Sequence, residues 1–192
     1  EMNLIGVPCP PGFTITTDVC NEYFELGKDK VVEILKSDVE AALVNVEKLM
    51  NSKFGDIENP LLVSVRSGAR ASMPGMMDTI LNLGLNDKVV EGLVRKTNNP
   101  RFVWDSYRRF VQMYGDVVLG MKPVNKSDID PFEAIIEEVK EAKGVKLDTE
   151  LTVEDLQTLV AKFKAAVKAQ TGHDFPESAY EQLWGAICAV FD

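Results

Sequence analysis

The chain has 192 residues, 45% of them hydrophobic, and a formal net charge of −9. That length admits one large domain or two small ones with a real core, and the acidic balance argues against nucleic acid and anionic membrane surfaces as partners. No apolar run approaches the ~20 residues of a membrane span, Glu1-Met2-Asn3 lacks the charged and apolar regions of a secretory leader, and a start on Glu1 rather than Met reads as a piece of a longer polypeptide.

Residues 7–12 carry three prolines and a glycine and read as an extended entry loop. Phe13, Ile15 and Thr17 alternate with Thr14 and Thr16, which predicts a short strand. Thr17 or Asp18 then caps a helix holding Val19, Cys20, Tyr23 and Phe24, and Gly27 ends it. A longer helix is expected from about Lys30 to Ser52, with Val31, Ile34, Leu35, Val39, Leu43, Val46, Leu49 and Met50 at helical spacing and Ser37-Asp38 as a possible break. After a loop from Gly55 to Pro60, Leu61 to Val65 forms an apolar strand that delivers Arg66 into a run of small residues. Thr79 to Leu85 reads as a second strand, with Leu81, Leu83 and Leu85 on one face.

From Asn86 the pattern turns helical. Val89, Val90, Leu93 and Val94 mark a short helix. Asn99 caps the next, with Pro100 in its first turn and Val103, Tyr107, Phe110, Val111, Tyr114, Val117 and Val118 as its apolar face. A polar connector at 120–129 leads to a helix capped by Asp130 and stopped by Gly144. Thr152-Val153-Glu154-Asp155 resembles a capping box for a helix presenting Leu156, Leu159, Val160, Phe163 and Val167. Pro176 opens the last helix. The fold class expected is α+β: an α/β part over 1–86 and a small all-helical subdomain over 87–192.

The segment from Arg66 to Gly75 carries the chemistry. Gly68, Ala69, Ala71, Ser72 and Gly75 lack side-chain bulk, so the backbone can approach a ligand closely, and Arg66 and Arg70 flank it. Forked cations beside a bare main chain suit phosphate groups; a surface ion pair is the structural alternative for Arg66. Ser67 and Ser72 add hydroxyl donors or stabilise the loop. Gly68 and Gly75 predict a loop that is mobile without ligand. The segment is neither a Walker P-loop nor a Rossmann glycine motif.

Continued through Met76-Met77-Asp78-Thr79-Ile80-Leu81-Asn82-Leu83-Gly84-Leu85-Asn86-Asp87, the segment resembles the nucleotide-binding region of the pyruvate, phosphate dikinase family. So do Val7-Pro8-Cys9-Pro10-Pro11-Gly12-Phe13-Thr14-Ile15-Thr16-Thr17, Asn99-Pro100-Arg101-Phe102 and Asp105-Ser106-Tyr107-Arg108-Arg109-Phe110. The resemblance implies the N-terminal part of an ATP-grasp type domain, in which Arg66 contacts ATP phosphates. It implies ATP and inorganic phosphate as substrates, Mg²⁺ as cofactor, a phosphohistidine on another domain of the parent chain, pyruvate as final acceptor and a homo-oligomeric parent. The family's glycine-rich lysine loop, later Mg²⁺-binding carboxylates, phosphohistidine domain and pyruvate barrel have no counterpart among these residues, so the segment alone is expected to be inactive. A non-catalytic nucleotide-binding or helical interaction module is the alternative.

Other chemistry is thinly supported. Asp78 and Asp87 are expected to cap turns or helices rather than hold metal, and no metal ligand is assigned. Met73, Met76 and Met77 are expected to fill core space. Arg95, Arg101, Arg108 and Arg109 cluster around one helix, where a solvated face with an Asp105–Arg109 pair is favoured over an acidic partner domain. His173, the single histidine, is expected at an exposed helix end. Cys9, Cys20 and Cys188 form no paired motif and suit a reduced, cytoplasmic protein.

Overall fold

In the computed structural model, residues 2–68, 79–123 and 129–192 are described. Helix α1 (Thr17–Leu26) and helix α2 (Lys28–Met50) meet at Gly27. Two-residue strands β1 (Lys53–Phe54) and β2 (Pro60–Leu61) pair in parallel, and β3 (Val63–Arg66) pairs antiparallel with β4 (Thr79–Leu83). Five helices follow: α3 (Asp87–Thr97), α4 (Pro100–Val117), α5 (Pro131–Lys143), α6 (Val153–Thr171) and α7 (Ala179–Phe191). The described residues are therefore mixed in class but mostly helical.

The helical half follows its local signals closely. Asn86 accepts from the Lys88 and Val89 amides, Asn99 from Phe102, and Asp130 from Phe132 and Glu133, so each satisfies N–H groups that a helix start leaves orphaned. Thr152 and Asp155 exchange the reciprocal bonds of a capping box. Gly144 and Gly172 end α5 and α6 in the left-handed conformation that a Cβ disfavours.

Four local expectations need correction. Residues 13–16 form no strand: Thr16 is extended, yet no ladder partner reaches it among the described residues, and α1 begins at Thr17. Helix α2 runs unbroken through Ser37-Asp38, because Val39, Leu43 and Val46 bury beyond that point. Strand β4 stops at Leu83. Asn82 adopts a left-handed φ of 62°, which breaks the two-residue period, so the buried set is Ile80, Leu83 and Leu85 while Leu81 is only half-buried. The last helix starts at Ala179 behind Ser178, not at Pro176.

One apolar cluster joins the strands to the helices. It takes Val39, Leu43 and Val46 from α2, Ile80 and Leu83 from β4, and the inner faces of α3 through α7. Helix α4 lies at its centre, with Val103, Tyr107, Phe110 and Val111 fully buried. The expected division near residue 86 coincides with the cap of α3, and the core runs through it. A second, smaller cluster of Tyr23, Val31 and Cys188 ties α1 and α2 to α7, and the Tyr23 hydroxyl donates to Asp192 at 2.7 Å.

Candidate functional site

Strand β3 alternates in the way its sequence dictates. Val63 and Val65 are half-buried against the core cluster, while Ser64 and Arg66 point to solvent. Arg66 is the last residue of the strand and pairs through its backbone with Thr79. Its guanidinium is exposed, and among the described residues it has no ion pair. Ser67 is half-buried and Gly68 exposed. Gly68 does not adopt a left-handed φ, and a Cβ added there would meet nothing within 4 Å. Its value is therefore absence of bulk, not conformational freedom. Arg70 and Ser72 lie outside the described residues, as do Gly75, Asp78, the three loop methionines and the expected mobility of residues 69–78.

The second arginine cluster divides into two kinds. Arg109 is largely exposed and pairs with Asp105 at 3.0 Å, as the four-residue spacing predicts. Arg108, expected on the same solvated face, is 3% exposed. It donates to Asp105 Oδ1 at 2.9 and 3.2 Å and to Gln112 Oε1 at 3.3 Å, and lies 3.6 Å from Asp148. Arg101 donates to the carbonyls of Leu151 and Asp148 at 3.1 and 2.8 Å. Both bind the α5–α6 connection to α4, which faced them only once the bundle had assembled. Arg108→Ala is expected to lower the unfolding free energy by about 2 kcal/mol, since it removes a buried guanidinium whose charge-assisted bonds and stem join α4 to the α5–α6 connection, while Asp105 keeps Arg109 and Asp148 keeps Lys140. Arg109→Ala should change it by less than about 0.5 kcal/mol. Urea unfolding of both variants checks the contrast.

Some polar side chains that organise this region carried no sequence signal. Gln182 is fully buried on α7. It accepts from the Gly84 amide at 2.9 Å and donates to the Leu85 and Pro176 carbonyls at 2.9 and 2.8 Å, fixing the turn from β4 into α3. Asp87 is neither a cap nor a free carboxylate. It accepts from the Tyr107 hydroxyl at 3.0 Å and from Lys164 at 2.7 Å, and Lys164 also binds Glu177. Burial first, then the charges of Glu177 and Asp87, push the Tyr107 phenol far above its usual range. Among the described residues no three histidines, cysteines or carboxylates converge to hold a metal. His173 is exposed, as expected.

Of the surface cavities formed by described residues, two lie away from Arg66, Ser67 and Gly68. One, of about 420 Å³, lies between the end of α2 and the β1–β2 loop. The other, of about 300 Å³, lies along the last turns of α4 and is lined by Arg109, Gln112, Met113, Asp116, Val117 and Lys122. Burial, then the charges of Asp130 and Glu133, push the Asp116 carboxyl up to about 6, with Lys122 opposing. A folded pKa above the unfolded value of 3.8 makes the charged form a liability in the native state. The cost is absent below the unfolded value and complete above the folded one. Asp116→Asn is therefore expected to stabilise the fold by about 1 kcal/mol at pH 8 after allowance for solvent screening, with the gain vanishing below about pH 4. Thermal unfolding across that range measures it.

Comparison with known proteins adds an independent line. The family model described as pyruvate phosphate dikinase, AMP/ATP-binding domain, matches residues 1–191. The chain is 56% identical over 192 residues to the pyruvate, phosphate dikinase of Clostridium symbiosum, covering all of this chain and 21% of that protein. It is 49% identical over 191 residues to the enzyme of Rhizobium meliloti, covering 20% of it. It is 50% identical over 192 residues to a chloroplastic enzyme of Mesembryanthemum crystallinum, covering 19% of it. The chain thus spans about one fifth of the length of the curated relatives it matches. On that match, which reaches from the entry loop to the end of α7, the chain belongs to the AMP/ATP-binding domain family of pyruvate phosphate dikinases.

Proposed function

We propose that this chain is the part of a pyruvate, phosphate dikinase that grips the triphosphate of ATP, with the Arg66 guanidinium on the phosphate oxygens. The parent reaction would convert ATP, phosphate and pyruvate to AMP, pyrophosphate and phosphoenolpyruvate through a phosphohistidine on another domain. One observation supports this reading above the others. Strand β3 ends in an exposed arginine that has no carboxylate partner among the described residues, and Ser67 and Gly68 follow it without bulk. An arginine kept for stability is engaged as Arg108 is, by carboxylates and amides of its own chain. A permanently charged planar fork left open at a strand end can hold a phosphate bidentately and stabilise charge that develops as the phosphoryl group leaves.

Main-chain N–H groups at Ser67 and Gly68, with Arg70 and Ser72 beyond them, are the further donors in this proposal. We read residues 1–86 as the α/β wall of an ATP-grasp type cleft and 87–192 as the helical body that backs it. Mg²⁺ enters as part of the substrate MgATP. The described residues offer no converging donor set for it, and Asp87 is engaged by Tyr107 and Lys164. We place the parent in the cytoplasm as a homo-oligomer. No described helix is long and apolar enough to cross a membrane, and Cys9, Cys20 and Cys188 are free thiols.

The test is a titration of the chain with MgATP, followed at the backbone amides of residues 67–75 by NMR. Shifts centred on that segment and lost in Arg66→Ala support the assignment. Shifts confined to the helices α3 to α7 would instead favour the interaction-module alternative.

A further inference from the structure

Strand β4 carries a bulge, and the bulge decides which residue stands beside Arg66. Val63 pairs with Leu83, but Val65 pairs with Ile80 and Arg66 with Thr79, so Leu81 and Asn82 together face Ser64. With even pairing from the same start, Val65 would meet Leu81 and Arg66 would meet Ile80. Even pairing is also what the alternation of Leu81, Leu83 and Leu85 favours. The observed register instead puts Asn82 at a left-handed φ of 62°, and a bulge leaves main-chain groups without ladder partners. The helices supply what the ladder withholds. The Leu81 amide lies 3.2 Å from Met113 Sδ on α4, and the Gly84 amide donates to Gln182 Oε1 on α7 at 2.9 Å. The Gln182 side-chain amide donates in turn to the Leu85 and Pro176 carbonyls. A methionine would fill the same space, so what the buried carboxamide adds is the direction of its bonds.

We propose that Gln182 is a positioning residue for Arg66: by holding Gly84 and Leu85 it keeps the bulge in β4, and the bulge sets the place of the Arg66 guanidinium. This role rests on the phosphate-binding reading of Arg66. Both β3 and β4 pack against α7, so the helix that carries Gln182 is the surface on which the two strands are registered. Released from Gln182, the start of β4 can slide past Arg66 by one residue, about 3.3 Å. A misplacement of about 1 Å is enough to slow a chemical step about a hundredfold. Re-aiming a side chain is what bulges beside functional sites do.

Gln182→Met, close in size and lacking the amide, tests the role in two ways. In the 192-residue chain, the NMR contact across the ladder is expected to move from Arg66–Thr79 to Arg66–Ile80. In the dikinase proposed above as the parent, kcat should fall by about a hundredfold with KM for MgATP nearly unchanged, because orientation at the reacting centre is lost while ground-state contacts are kept. In an Arg66→Ala background the same substitution should bring no further loss, the mark of a residue that acts through Arg66. A purely structural residue would lower the unfolding midpoint and leave the ladder contact and the kcat of the folded enzyme unmoved. Asn82→Val disfavours the bulge from within β4, since a β-branched residue resists a left-handed φ. It should move the same contact and the same rate, and it stands in if Gln182→Met does not fold. An Arg66–Thr79 contact that persists in the folded variant overturns the proposal, as does an equal loss of rate with and without Arg66. A harmless Arg66→Ala beside a moved contact overturns the phosphate reading instead.

Discussion

In the dikinase proposed above as the parent, Arg66→Ala is expected to reduce ATP-dependent turnover by about a thousandfold, the scale on which a phosphate-clamping arginine acts in phosphoryl transfer. The loss should fall mainly on kcat. A guanidinium that tightens on charge developing in the transition state contributes more there than in the ground state. Arg66→Lys should recover only part of the rate, because an ammonium keeps the charge and loses the planar fork. Stability should barely move, since the side chain is exposed and β3 pairs with β4 through main-chain groups. Steady-state kinetics with MgATP as the varied substrate, beside urea unfolding of the same variants, separates these effects. A change in kcat/KM below tenfold, with folding intact, would remove Arg66 from the phosphate site.

The largest stability effect is expected at Gly92, where Ala should cost about 4 kcal/mol. In an ordinary helix interior, alanine is worth about 1 kcal/mol more than glycine. Here the sign reverses. A Cβ on Gly92 would lie 1.7 Å from the Ile57 carbonyl oxygen and 2.8 Å from its carbon. Those are backbone atoms, with no rotamer to change, so α3 and the loop before β2 would have to part. Gly115 and Gly185 are also crowded, by the Phe132 ring at 2.4 Å and the Tyr114 hydroxyl at 2.2 Å, but side chains can yield. Denaturant midpoints should therefore rank Gly92→Ala as the most harmful of the three alanine variants. A Gly92→Ala protein as stable as the parent would show that the α3–Ile57 contact is not closed in solution.

The helical half was legible because its signals are local. Asn99, Asp130 and Thr152 each cap the helix they precede in sequence, and the inner stripe of α6, from Leu156 to Val167, reads directly from its spacing. Where the reading failed, the deciding partner was remote. The alternation at 13–16 has no strand beside it among the described residues. The leucine alternation of β4 yields to the left-handed Asn82. On α2, Ile34, Leu49 and Met50 share the apolar spacing yet remain 48–74% exposed, because the core reaches only one side of the helix.

The same division holds for the candidate site. Family membership and the emergence of Arg66 at a strand end were carried by a contiguous stretch of residues, for which sequence order alone suffices. Which arginines remain available was decided in three dimensions. Arg108 and Arg109 are neighbours in the chain, yet α4 turns one onto Asp105, Gln112 and Asp148 and leaves the other in solvent. Likewise, only the packing of α7 against β4 brings Gln182 to Gly84, 98 residues away. Caps, stops and stripes are interactions between residues a few positions apart, so the sequence contains both partners in plain order. Burial of a charge, the clearance around Gly92 and the isolation of Asp116 arise when distant elements exclude water together, and those were settled only by the folded chain.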